Sequence, residues 1–257
     1  MSIIDFHTHP FLTEASNICS HKAIIPMSCE SIRPTFAALG VDMICGSVIQ
    51  KPQEGRTMWE TIRACNDEAL QLRELLEDFY YPGFHIHPDY REESVKEIQR
   101  FSQLGFRLVG ELVPYTHGWS DYSCKDFSYL LDVCQEYNMV VNLHRQGDEA
   151  MDKMVAAHKG LKIVMAHPGE YNDYMQHLRR MDVSENYYVD LSGTGLFRHA
   201  MLARGIAEYG ADRFLFGSDY PTCNPAMFVG GVALDSLISP EDKEKILCTN
   251  AKTLLGL

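Results

Sequence analysis

The hydrophobic and polar positions of this chain alternate between two kinds of segment. Short apolar runs have the character of strands that are buried on both faces. These runs span Ile3–His7, Val41–Ile49, Tyr80–Ile86, Phe106–Leu112, Met139–His144, Leu161–His167, Tyr187–Leu191 and Arg213–Gly217. Between them, apolar residues recur at the spacing of a helix face, as in Phe127, Leu130 and Cys134.

Strands that alternate with helices predict a parallel sheet joined by crossover helices. The 257 residues divide into eight units of about 32 residues, the usual size of a βα repeat. No linker rich in proline, glycine or serine interrupts the pattern. We therefore predict a single (β/α)8 TIM barrel over residues 1–257. An open doubly wound sheet is disfavoured, because His-Thr-His-Pro follows the first strand instead of a glycine-rich phosphate turn.

Composition and charge narrow the classes of function. The net charge of −12 disfavours nucleic acid as a partner, since phosphate backbones require clustered Lys and Arg. No apolar run could span a bilayer, so we expect no membrane partner and a small-molecule substrate. The opening MSIIDFHTHP lacks the regions of a signal peptide, and the 8 cysteines form no CxxC pair. We therefore expect a cytoplasmic protein with reduced thiols.

Polar residues at the carboxyl ends of the strands carry the candidate chemistry, because barrel active sites are built on that face. Asp5, His7 and His9 alternate along the first strand, which places their side chains on one face. Further polar residues end later strands at about one, one and two repeat units apart. They are Glu111, His144, His167 and Asp219.

Imidazoles and carboxylates converging on one rim form a site for zinc or another divalent transition metal. Any single member of this set is as readily explained by a structural role as by metal binding. Chance placement of all of them at one height of the barrel is improbable. The rim therefore predicts a metal site.

The motifs at these positions resemble a known family. DFHTHP at the first strand, a histidine closing the fifth, AHPG at the sixth and GSDYP at the eighth are similar to the amidohydrolase superfamily. Within it they resemble the amidohydrolase-2 group of metal-dependent hydrolases and decarboxylases, down to the terminal NAKTLLGL. The resemblance implies that His7, His9 and Asp219 bind a catalytic metal, with His144 as the fourth ligand and His167 as an acid–base group.

Glu111 leaves the number of ions open. A carboxylate that ends the fourth strand is similar to the bridging glutamate of TatD-type nucleases, which use paired metals. With Glu111 as a bridge, His144 and His167 would hold a second ion. We favour one tightly bound ion, with Zn²⁺ expected and Mn²⁺ as the alternative, and a weaker second ion as the open alternative.

A divalent metal held by this rim of histidines and carboxylates predicts a hydrolase of a small carboxylate, amide or lactone. A divalent cation lowers the pKa of bound water to about 7. Asp219 is the expected general base, and His167 is placed to polarise the substrate or to donate a proton. The alternatives are a decarboxylase, a TatD-like deoxyribonuclease and a non-catalytic metal-binding barrel. Against the nuclease, HPGE and GSDYP replace the Cys-Phe and Glu-Thr-Asp motifs of TatD-type proteins.

Other residues are candidates for substrate binding. Arg145 follows His144 and could hold a carboxylate in a bidentate manner, although pairing with an acidic helix is an equal alternative. His87 ends the third strand in a second HxH motif, and Tyr115 lies in a loop rich in aromatic and hydroxyl residues. Since acidic barrels of this kind often pair, a homodimer is an open alternative to a monomer.

Overall fold

Eight parallel strands form one sheet in chain order. The computed structural model describes residues 2–19, 25–52, 54–195 and 198–257. The strands are β1 (Ile4–Thr8), β2 (Met43–Gly46), β3 (Tyr80–Phe84), β4 (Leu108–Leu112), β5 (Val140–Leu143), β6 (Lys162–Met165), β7 (Tyr187–Asp190) and β8 (Phe214–Leu215). Each overlaps a predicted apolar run. The first strand is shifted by one residue toward the carboxyl end, and the other seven lie within their runs and are shorter than them.

The last strand returns to the first and nearly closes the sheet. The amide nitrogen of Phe6 donates to the carbonyl of Phe216 over 2.9 Å. A parallel bridge joins Thr8 to Tyr220 beyond the end of β8. These contacts confirm the predicted single (β/α)8 barrel and bring the two ends of the sheet together at the rim.

Helices follow the strands, as the crossover pattern predicts. Those of the described residues are α1 (Ile32–Ala37), α2 (Met58–Leu76), α3 (Arg91–Gln103), α4 (Lys125–Glu136), α5 (Asp148–Ala157), α6 (Tyr171–Val183), α7 (Met201–Tyr209), α8 (Pro225–Ala233), α9 (Pro240–Glu244) and α10 (Asn250–Leu255). A π-helical turn, Lys245–Thr249, joins the last two. Within the described part of the chain, no helix has the length and apolar character needed to cross a membrane.

Local sequence signals set where the helices begin. Thr57 and Glu60 form a capping box at the start of α2, in which Glu60 Oε2 accepts from the Thr57 amide over 2.7 Å. Ser239 and Pro240 begin α9, where the Ser239 hydroxyl accepts from the Asp242 amide over 3.1 Å. Such caps fix the chain direction as it leaves each strand.

The two ends of the barrel differ in polarity. Near the amino ends of the strands, Tyr81, Leu108 and Val140 belong to a buried apolar cluster that also includes Leu254 and Leu255 of α10. Near the carboxyl ends, the buried side chains are histidines and carboxylates. Apolar side chains therefore fill the amino end of the barrel, and the polar side chains that could carry chemistry lie at the carboxyl end.

Candidate metal centre

The two histidines of β1 and its continuation meet two carboxylates at the carboxyl end of the barrel. The Nε2 atoms of His7 and His9 lie 3.2 Å apart. Glu111 Oε2 lies 3.4 Å from His7 Nε2 and 3.2 Å from His9 Nε2. Asp219 Oδ1 lies 3.5 Å from His9 Nε2 and 3.9 Å from His7 Nε2. We call these four atoms the first donor set.

The other oxygen of Glu111 faces a second group of ring nitrogens. Glu111 Oε1 lies 2.8 Å from His144 Nδ1 and 3.5 Å from His167 Nε2. We call these three atoms the second donor set. The Glu111 side chain is 2% exposed, so one buried carboxylate lies between two donor sets and offers one oxygen to each.

Backbone conformation aims two of these side chains at the centre. His167 and Asp219 have φ angles of 68° and 61°, in the left-handed region that side chains other than glycine rarely occupy. Such conformations cost about 1 kcal/mol or more and concentrate at functional sites. Gly193 makes room for the His167 ring, because a Cβ there would lie 2.2 Å from its Nδ1. The barrel thus tolerates local strain where the donors converge.

Asp190, at the end of β7, is a site residue that sequence reasoning missed. Its side chain is fully buried, and Oδ2 accepts hydrogen bonds from His7 Nδ1 and Asn142 Nδ2, each over 2.9 Å. With Nδ1 donating, His7 Nε2 is left free for a cation. The signal was available in the sequence, because Asp190 is a polar residue near the end of the predicted strand Tyr187–Leu191.

Ser192 extends this network to the second donor set. Its hydroxyl oxygen lies 3.0 Å from His167 Nδ1, and it also donates to Asp190 Oδ1 in a short hydrogen bond. The Asp190 oxygens therefore orient His7 directly and His167 through Ser192. Asp5 supports the same region from beneath, where its Oδ1 accepts from the amides of His7 and Ser218 over 3.2 and 3.0 Å.

The buried carboxylates of the centre favour a positive charge beside them. Burial lowers the pKa of His7, but the carboxylates of Asp190 and Glu111 outweigh it and raise that pKa well above 6.5. Burial raises the pKa of Glu111, yet the charge of His7 and hydrogen bonds from His144 and His7 hold it well below 4.5. The same competition lowers the pKa of Asp190 to about 2. Without a metal, a proton on His7 supplies the cation that these carboxylates require.

The donor set fits a divalent metal ion. Three overlapping groups of side chains place one ligand atom each within 4.8 Å of one another: His7 with His9 and Glu111, His7 with His167 and Asp190, and Glu111 with His144 and His167. Imidazole nitrogen and carboxylate oxygen together suit zinc and its neighbours among the transition metals. Such an ion would neutralise the negative charge of the buried carboxylates and bind the Nε2 atoms that face it.

A cavity of about 310 Å³ opens above the centre. Only one of the three predicted substrate-binding residues lines it. Tyr115 lines it, with its ring 5.3 Å from that of His144. Arg145 does not line it, because its guanidinium contacts Asp148 and Asp173 over 2.9 and 3.0 Å.

His87 also lies away from the cavity. Its ring is buried against the loop after β4, with Nε2 2.9 Å from the carbonyl of His117. The Nδ1 atom accepts from the Asp89 amide, so both ring nitrogens are engaged in local structure. Of the three predicted substrate-binding residues, the structure brings only Tyr115 to the cavity.

The sequence matches a family model described as Amidohydrolase over residues 4–257. The chain belongs to the amidohydrolase family. This membership confirms the family predicted from the strand-end motifs, and with it the prediction of an enzyme. No curated protein matches the sequence.

Solved structures of amidohydrolase-like barrels superpose on the whole chain at low identity. A 2,6-dihydroxybenzoate decarboxylase bound to 2,6-dihydroxybenzoate has 18% identity and a TM-score of 0.79, with full coverage of both chains. A dihydroxybenzoic acid decarboxylase from Polaromonas sp. JS666, with bound manganese and 2-nitroresorcinol, has 17% identity and a TM-score of 0.75, covering 100% of this chain and 97% of that one. A probable 2-pyrone-4,6-dicarboxylic acid hydrolase from Acinetobacter baumannii, with citric acid bound, has 16% identity and a TM-score of 0.69, with full coverage of both chains.

We expect Asp190→Asn to weaken metal binding by about 10- to 100-fold, the usual effect of removing a partner that orients a ligand. The substitution keeps the shape of the side chain but removes the negative charge that holds His7 with Nδ1 donating. Titration of the metal-free protein with Zn²⁺, followed by calorimetry, measures the change. Asp89→Asn, at an exposed aspartate outside the centre, is the control. Unchanged affinity in Asp190→Asn would contradict the orienting role.

Proposed function

We propose that this amidohydrolase is a metal-dependent hydrolase of a small carboxylate, amide or lactone. The observation that carries the proposal is the position of Glu111, whose two oxygens face two sets of imidazole nitrogens under one cavity. A bound divalent cation would lower the pKa of water to about 7 and polarise a carbonyl oxygen. His7, His9, Asp219 and Glu111 are the residues proposed to hold it.

The chain's own residues supply the proton transfers. Asp219 lines the cavity, and its carboxylate is placed to accept a proton from an attacking water. His167 also lines the cavity, and its Nδ1 is engaged by Ser192, which fixes the ring and leaves Nε2 toward the centre. A proton on that nitrogen can pass to the leaving group as the bond to the carbonyl carbon breaks. His144 also lines the cavity, with its Nδ1 2.8 Å from Glu111 Oε1.

We further propose one tightly bound Zn²⁺ in the first donor set, with a weaker second ion at His144 and His167. The second ion would occupy His167 Nε2, so the proton transfer from His167 belongs to the protein that holds one ion. The manganese in the Polaromonas decarboxylase supports a divalent ion in barrels of this kind and keeps Mn²⁺ as the alternative. Elemental analysis of the purified protein gives the identity and the number of ions per chain. Two tightly held equivalents would replace this proposal with a bridged pair.

Metal removal is expected to abolish turnover and leave the fold intact, because a barrel of this size buries its core without metal staples. Dialysis against a chelator, followed by assay on a panel of small esters, lactones and amides, measures the loss. Re-addition of Zn²⁺ or Mn²⁺ should restore activity, and far-ultraviolet circular dichroism serves as the control for folding. Full turnover by protein shown to be metal-free would contradict the proposal.

Decarboxylation is the second candidate. Its support is the pair of dihydroxybenzoate decarboxylases among the structures that share the whole barrel. The same centre would then bind a carboxylate beside a hydroxyl instead of activating water for attack. Incubation with 2,6-dihydroxybenzoate and measurement of released carbon dioxide distinguishes the two candidates, because hydrolysis releases none.

A nuclease has less support than either candidate. Lys51 is the one lysine or arginine among the described residues that line the cavity, whereas binding to a phosphate backbone needs several. The cavity volume of about 310 Å³ is at the lower end of the range for small-molecule sites. Both features favour a small substrate.

A further inference from the structure

The cavity above the metal centre has a single fixed cation in its described lining. Its walls are mostly apolar or hydroxyl-bearing, and its floor is formed by the metal-centre residues. Among the described lining residues, Lys51 is the one that brings a permanent positive charge to this surface. Arg145, for which substrate binding and pairing with acidic side chains were equal alternatives, pairs with Asp148 and Asp173.

The segment that carries Lys51 is tied to the metal centre. It follows β2, where the carbonyl of Ser47 lies 3.0 Å from His9 Nδ1. Side chains alternate along an extended segment, and both Ile49 and Lys51 line the cavity. The intervening Gln50 is anchored in the other direction, because its Nε2 donates to Glu68 Oε2 over 2.8 Å. The backbone that leads to Lys51 is thus held by a contact of Ser47 with His9 and by a hydrogen bond from Gln50 to Glu68.

The ammonium group of Lys51 is available to a ligand. In the described part of the chain, no carboxylate forms an ion pair with it. Several other cationic side chains at the rim of the barrel, such as Arg145 and Arg198, are occupied by Asp or Glu. An unpaired cation at the mouth of a cavity attracts anions and orients them as they enter.

The number of fixed cations in the described lining limits how many anionic groups the cavity can bind directly. Lys51 is one such cation, whereas the carboxylates of Glu111, Asp219 and the buried Asp190 lie at the metal centre. One ammonium group can pair with one carboxylate, and a second carboxylate on the same ligand would find no further lysine or arginine in the described lining.

We propose that Lys51 is a specificity-determining residue, which binds a carboxylate carried by a small substrate whose apolar body packs on Ile18, Ile49 and Val113. The inference rests on the proposed function only in using the same cavity. It assigns the substrate class as a monoanionic carboxylate. The reacting group of the substrate lies toward Asp219 and His167, and its carboxylate lies toward the mouth of the cavity.

Binding of benzoate and benzamide to the Zn²⁺-loaded protein tests the proposal by calorimetry, without turnover. The two probes match in shape and differ in charge. We expect Lys51→Met to weaken benzoate binding about five- to tenfold, as for the loss of a partly exposed charged hydrogen bond, and to leave benzamide unchanged. Lys51→Arg should restore most of the benzoate affinity. Lys159→Met, at an exposed lysine on the amino-terminal side of β6, is the matched control.

The outcomes separate this inference from the hydrolase itself. Equal benzoate affinity in Lys51→Met and the unmodified protein overturns the inference, as does a parallel loss for benzamide, which would indicate a change of cavity shape. A selective loss of benzoate binding supports it even where the substrate panel shows no hydrolysis. In that case the proposed reaction fails while the carboxylate site stands.

Discussion

Asp219→Asn is expected to lower kcat by about 10²- to 10⁴-fold while the protein still binds metal, because the amide cannot accept a proton from water. Asp219 is 8% exposed and lines the cavity, so its carboxylate meets both the centre and the substrate. Its Oδ1 lies 3.5 Å from His9 Nε2. The amide oxygen of Asn keeps one donor in that position, which separates the loss of the base from the loss of the ligand.

The measurement pairs steady-state kinetics with metal analysis of the same sample. Asp212→Asn serves as the control, since that aspartate precedes β8 at the opposite end of the barrel and pairs with Lys245. A variant that keeps its metal and its full turnover would remove Asp219 from the role of base. A variant that loses its metal altogether would assign Asp219 mainly to ligation.

The fold was predictable because the strands and helices of a parallel barrel follow one another along the chain, and each kind has its own local sequence pattern. Strands buried on both faces appear as apolar runs, and each crossover helix appears as an apolar stripe. The limits of the strands were less accurate. The eighth run was predicted as Arg213–Gly217, but β8 covers only Phe214–Leu215, because the chain there turns to contribute backbone bonds to β1. Closure depends on contacts between distant segments, which the local pattern does not encode.

The site was predictable where a polar residue interrupts an apolar strand at its carboxyl end. This signal marks His144 and Glu111, and it applies equally to Asp190, which lies one residue before the end of the run Tyr187–Leu191. It does not extend to Arg145. That residue neighbours His144 in the sequence, but alternation directs its side chain to the other face, where Asp148 of α5 and Asp173 of α6 pair with it.

Lys51 shows the complementary limit of sequence reasoning. It lies beyond the end of β2 in a segment without regular secondary structure, and nothing in its neighbours marks it as part of a cavity. Its place there follows from the hydrogen bonds that hold Ser47 and Gln50. A charge that acts from a loop is visible only once the loop is folded.

Glu111→Gln is expected to have the largest effect on metal binding, exceeding the roughly 10- to 100-fold loss typical of residues that only orient a ligand. Both carboxylate oxygens face ring nitrogens at 2.8 to 3.5 Å, so an amide would place its NH₂ group against one donor set in either orientation. The substitution also removes a buried negative charge that a cation would neutralise. Turnover should fall to the level of the chelated protein.

Glu97→Gln is the matched control for this substitution, because Glu97 is also a buried carboxylate, 1% exposed, but lies on α3 and pairs with Arg63 and Arg100. We expect it to lose stability and keep its metal, whereas Glu111→Gln loses its metal. Calorimetric titration with Zn²⁺ and thermal unfolding measured on both variants separate the two effects. Equal metal affinity in Glu111→Gln and Glu97→Gln would show that the carboxylate between the donor sets is not a ligand, and the first donor set would then consist of His7, His9 and Asp219.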